Sequence, residues 1–131
     1  MYPFTQFAID RKSNAFRNFN YIVPNLLHDA EGTGKQSASA LLAAADGWLK
    51  TNIAPLLSTP PFQPGGDGIL MITFDETKVK GKSGNTSSDN ACSPTKPSGC
   101  GGHIAFVMAG PHVKAGSSTS NVYHFQNMLT P

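Results

Sequence analysis

One stretch of this chain admits few architectures. Gly68-Ile69-Leu70-Met71-Ile72-Thr73-Phe74 is apolar at nearly every position, opened by glycine and closed by the acidic doublet Asp75-Glu76. An apolar run of that length between turn residues is expected to form a strand covered on both faces, as in a parallel or mixed sheet. A second run, Ile104-Ala105-Phe106-Val107-Met108-Ala109, follows Gly101-Gly102-His103 and is closed by Gly110-Pro111. Between the two, residues 77–102 alternate Lys78, Lys80 and Lys82 and then pass into Gly, Ser, Asn and Pro. Such a stretch reads as a long loop excursion.

The other segments arrange themselves around these strands. Residues 2–19 scatter Phe4, Phe7, Phe16 and Phe19 without a clean period, which suits a short helix or an irregular wrap. Asn20-Tyr21-Ile22-Val23 groups β-branched and aromatic residues and reads as a short strand stopped at Pro24, which cannot donate to a ladder. Residues 39–53 place Leu41, Leu42, Ala45, Trp48, Leu49 and Ile53 at three- and four-residue steps, the pattern of an amphipathic helix with Trp48 as a core anchor. Ser37 or Ser39 can cap its start and Pro55 stops it. The connection through Pro60, Pro61, Pro64, Gly65 and Gly66 is expected to be neither helix nor central strand. Residues 120–129 read as a capped helix that has just begun when the sequence stops. Strand, loop, helix, strand, excursion, strand, helix is the order of a layered α/β domain. Residues 1–131 are read as one portion of such a domain, an incomplete one.

Composition narrows the function classes. The chain has 131 residues and a formal charge of +2, with no clustered Lys/Arg stripe of the kind that phosphate-backbone binding requires, so nucleic acid is not the expected partner. No apolar run approaches the roughly 20 residues of a membrane span, and Met1-Tyr2-Pro3 does not open a signal peptide. Charged residues are 14%, against roughly 25% in an average domain, and Ser, Thr, Asn, Gly and Pro fill the difference. That is a surface common among exported proteins. Cys92 and Cys100 are too far apart for a Cys-x-x-Cys redox motif, and no second pair completes a thiolate zinc site. A disulfide closing a small loop is favoured over two free thiols, and would place the protein in the periplasm or outside the cell. Asn85-Thr86-Ser87 matches the glycosylation pattern, which matters only in a glycosylating host.

Two clusters could carry chemistry. Asp75 and Glu76 are like-charged neighbours at the end of a strand, an arrangement that costs free energy unless donors or a cation neutralise it. A divalent metal would do so, and an ordinary acidic loop start is the bland alternative. Adjacent strand residues point to opposite faces, so both can reach one ion only if the chain has already turned at Asp75. The loop after Pro24 holds His28, Asp29 and Glu31, groups that could ligate a metal, contact a phosphate or transfer a proton, or could equally furnish a solvated turn. His103 follows two glycines, His112 follows Pro111, and His124 opens the last helix. Gly32-Thr33-Gly34-Lys35 lacks the phosphate-loop spacing, and no nucleophile elbow or His-x-x-x-His box is present.

Five segments in register bear on these clusters: Pro3-Phe4-Thr5-Gln6-Phe7-Ala8-Ile9-Asp10, Asn20-Tyr21-Ile22-Val23-Pro24-Asn25-Leu26-Leu27, Ala45-Asp46-Gly47-Trp48-Leu49-Lys50-Thr51-Asn52-Ile53-Ala54-Pro55-Leu56, Gly68 through Glu76, and Gly101-Gly102-His103-Ile104. In this order they resemble the C-terminal half of bacterial phosphoesterases of the phospholipase C / acid phosphatase family, over nearly the whole chain. The resemblance implies an alkaline-phosphatase-like fold, secretion or a periplasmic location, and hydrolysis of phosphate esters at a divalent metal centre. It would make Asp75 and Glu76 metal ligands, and give Asp29 and its neighbours His28 and Glu31 contacts to the phosphate or to the leaving group.

Two departures from the family pattern stand out. The loop usually reads Asp-x-His-Asp, whereas here Asp29-Ala30-Glu31-Gly32 puts glutamate where histidine is expected, with His28 three residues earlier. The tail usually carries a histidine near Tyr123, for which His124 or the position of Phe125 is the equivalent. The family's nucleophilic Ser or Thr lies in the N-terminal half, and this chain is expected to begin after it. A non-catalytic binding module that keeps the fold remnant is the competing expectation.

Overall fold

The computed structural model describes residues 2–75, 104–121 and 123. Of the last helix expected over 120–129 only residues 120, 121 and 123 are described, and none of these three is helical; His124, Glu76, His103 and the two cysteines with their possible bridge lie outside the described residues.

The described chain forms helix α1 over Phe4–Lys12, helix α2 over Ala38–Asn52, 3-10 turns over Ala54–Ser58 and Pro60–Phe62, and strands β1 (Leu70–Thr73) and β2 (Phe106–Ala109). Helix α1 has no side-chain cap at Pro3, but Arg11 and Lys12 stand in its last turn, where cations complement the helix dipole. Helix α2 starts as the serine pattern requires: Ser37 Oγ accepts the Ala40 N–H at 3.3 Å. It ends with the Ile53 N–H donating to Leu49 O at 2.8 Å, two residues before Pro55.

The helices meet through aromatic rings and one long-range hydrogen bond. The Phe4 ring lies 5.1 Å from the Trp48 ring, and Phe7 lies 5.6 Å from Phe4 and 6.2 Å from Phe16. Arg11 Nη1 donates to Asn52 O at 3.0 Å, satisfying a carbonyl that the end of α2 would otherwise leave without an intrahelical partner. Trp48 is thus an anchor as expected, although half-buried between α1 and the loop before α2.

The core proper consists of Leu41, Ile53 and Leu56, at 9%, 5% and 7% exposure. Leu42, expected on the same apolar face as Leu41, stands outside it at 61% exposure. It sits about 100° around the helix from Leu41.

The Pro-rich connection also differs from expectation, since Pro60–Phe62 closes a 3-10 turn. Proline fits the first positions of such a turn because no N–H is required there. The Gly68 N–H then donates to Pro61 O at 2.7 Å. Gly66 packs so closely on Pro61 O that a Cβ would collide with it.

Strands β1 and β2 pair antiparallel in the register Leu70↔Ala109, Met71↔Met108, Ile72↔Val107 and Thr73↔Phe106. Both expected strands exist, and among the described residues they form a two-stranded antiparallel sheet. Leu70 and Ile72 are half-buried and border a groove of about 290 Å³ with Leu49, Ile53 and Leu57, while Met71 is exposed. Gly110 crosses against Gly68 O, where a side chain would collide.

Residues 20–23, read as a strand, form neither strand nor helix, and Tyr21 and Val23 are 82% and 69% exposed. β-propensity describes fit to a pleated, half-covered surface, and no strand among the described residues offers one here. Two helices, two 3-10 turns and a two-stranded antiparallel sheet are the elements of the described residues. No helix among the described residues is long and apolar enough to cross a membrane.

Candidate functional site

After Pro24 the chain turns through residues 25–34 before Ser37 caps α2. Asn25 organises the first half of the loop. Its backbone carbonyl accepts the His28 N–H at 2.8 Å, and its side-chain Oδ1 accepts the Leu27 N–H at 3.1 Å. The same Oδ1 lies 2.7 Å from His28 Nδ1. The His28 ring stands beside Trp48 of α2, with ring centres 6.3 Å apart and planes inclined by 27°.

Asp29 organises the second half. Its Oδ1 accepts the N–H groups of Glu31 at 2.9 Å and Gly32 at 3.2 Å, folding the carboxylate back over the chain. Between these residues Ala30 takes φ +68°, a left-handed conformation that costs an L-residue with a Cβ roughly 1–2 kcal/mol. Gly32 follows at φ +71° and sits on Leu41, where a Cβ would overlap the Leu41 side chain. Thr33 is held by Gln36, whose Oε1 accepts from both the Thr33 N–H and hydroxyl.

The loop is therefore seated on α2 at two points, Gly32 on Leu41 and His28 beside Trp48, which lie two helical turns apart. His28 and Asp29 are half-buried and Glu31 is exposed. The three residues expected to act together do share one constrained loop.

Asp75 lies just after β1 and is exposed, with Glu76 outside the described residues. Among the described residues no three His, Cys, Asp or Glu side chains gather in a way that could hold a metal ion. Carboxylate oxygens suit a hard cation such as Mg²⁺, Ca²⁺ or Mn²⁺, but Asp75 alone is not a ligand set.

His112 lies apart from the loop in chain and surroundings. It is exposed at the rim of a shallow apolar hollow of about 570 Å³ lined by Leu57, Phe62, Ala109 and Pro111.

Asn25 is the residue that sequence reasoning passed over. The signal was available, because an Asn directly after proline and three residues before a histidine can close an Asx turn and reach the ring.

No family model, curated protein or solved structure matches this chain.

Proposed function

We propose that this chain is part of a divalent-metal-dependent hydrolase of phosphate esters, of phospholipase C / acid phosphatase type, built on an alkaline-phosphatase-like three-layer fold. The observation that carries the proposal is the loop of residues 25–34, where His28, Asp29 and Glu31 follow one another in a backbone bent through a left-handed alanine and seated on α2. Strain concentrated at a non-glycine residue among ionisable groups is a recognised mark of functional loops. Supporting it, the segment order agrees with the phosphoesterase pattern in which the acidic doublet after the buried-strand run belongs to the same site.

In this assignment His28 offers an imidazole to the phosphoryl group or the leaving oxygen, and Asp29 holds the turn through two backbone N–H groups. Glu31 and His124 are the remaining candidate groups on the substrate side, and Asp75 and Glu76 the candidate ligands of the cation. A divalent ion bound there would offset charge on the phosphoryl oxygens. The nucleophile falls outside these residues, in an N-terminal half of the domain, and the whole protein acts in the periplasm or outside the cell.

A non-catalytic binding module is the second reading, favoured by Glu31 standing exposed where the family pattern places histidine. Calorimetry on the complete polypeptide with Ca²⁺, Mg²⁺ and Zn²⁺ separates the two. Binding that is lost in Asp75→Asn supports the hydrolase, and absence of binding supports the module. The 131-residue chain should show no useful turnover of p-nitrophenyl phosphate with added divalent metal. Robust hydrolysis that Asp75→Ala abolishes would show that the site is complete without further residues.

A further inference from the structure

The contact between Asn25 and His28 fixes more than the position of the ring. Asn25 Oδ1 accepts the Leu27 N–H at 3.1 Å, so that atom of the amide is the oxygen and carries no hydrogen. His28 Nδ1 lies 2.7 Å from the same atom, a hydrogen-bond distance that requires a proton between them. Since the oxygen has none to give, Nδ1 must carry it. The neutral ring is then the Nδ1–H tautomer, with the lone pair on Nε2. When the ring is protonated, Nδ1–H still donates to Asn25, and only Nε2–H is left to meet a ligand.

We propose that Asn25 is a positioning residue that commits Nδ1 in both states of the ring, making Nε2 the nitrogen through which His28 meets a phosphoryl oxygen. The logic parallels metal-bound and catalytic histidines, in which the partner of one ring nitrogen decides the chemistry of the other. Three restraints act on the same few atoms. The His28 N–H donates to the Asn25 carbonyl at 2.8 Å, Nδ1 donates to the Asn25 side chain, and the ring face lies beside the Trp48 indole. A histidine in a solvated turn needs none of them. The phosphoryl half of this proposal rests on the phosphoesterase reading, whereas the tautomer half does not.

Long-range ¹H–¹⁵N correlation spectra of the ¹⁵N-labelled chain report directly which nitrogen of a neutral imidazole is protonated. At a pH where the ring is neutral, His28 is expected to show a protonated-type Nδ1 and an unprotonated-type Nε2. Asn25→Ala should abolish that preference. Asn25→Asp, whose carboxylate can accept from both Nδ1 and the Leu27 N–H, should restore it. Fluorescence of Trp48, the only tryptophan in the chain, checks that each variant keeps the packing of α2.

In the complete polypeptide, at a pH where the ring is charged, titration with inorganic phosphate should shift the Nε2 resonance and leave the Nδ1 resonance nearly in place. An Nε2–H tautomer in the native chain, or a tautomer indifferent to Asn25→Ala, overturns the positioning role whatever the protein hydrolyses. A correct tautomer whose Nε2 ignores phosphate overturns the phosphoryl contact and the phosphoesterase reading of this loop with it.

Discussion

At the residue scale the loop before α2 concentrates its constraints on Ala30 and Gly32. Ala30 holds φ +68° with a Cβ, so Ala30→Gly should relieve local strain. Glycine also gives the unfolded chain more freedom, and the net gain is expected to be at most about 1 kcal/mol, read as a higher urea midpoint. Gly32→Ala should do the reverse, because a Cβ there is strained at φ +71° and also overlaps Leu41. A loss of about 1–3 kcal/mol is expected, with a changed Trp48 emission because Leu41 and Trp48 share a face of α2. None of this was legible in the sequence. An alanine does not announce a left-handed conformation, and Gly32 looked like part of a poor phosphate loop rather than a close approach to a helix.

At the scale of elements, α2 was the most legible feature because its signals agree. Apolar residues recur at helical steps, Ser37 stands ready as the cap, and Pro55 follows. Ser37→Ala removes the acceptor of the Ala40 N–H and should cost about 1 kcal/mol, seen as reduced helicity and a lower melting temperature. The strands were legible in place but not in setting. An apolar run states that Leu70 and Ile72 need cover, and it does not say whether the partner strand runs parallel or antiparallel. Residues 20–23 show the limit of propensity, since Tyr21 and Val23 suit a strand and yet find no ladder among the described residues.

At the scale of the molecule, only Leu41, Ile53 and Leu56 are buried apolar residues among those described, while Phe19, Tyr21, Val23, Ile69 and Val107 are at least half exposed. A core so small is expected to be marginal, because small domains have little stability to spare. The 131-residue chain should therefore melt over a broad range or associate through its sheet, whose outer edges find no partner strand among the described residues. A sharp, reversible two-state transition of the monomer would contradict this and favour an independent α/β unit.

In the proposed assignment the loop of His28 and the acidic end of β1 serve one phosphate and metal site. Paramagnetic broadening by Mn²⁺ in the presence of inorganic phosphate tests it on the labelled complete polypeptide, without requiring turnover. Backbone signals of residues 28–31 and of 75–76 should broaden together at the same low Mn²⁺ concentration, and both effects should vanish in Asp75→Asn. Broadening at the acidic doublet that leaves the loop untouched, or none at either place, would contradict the account.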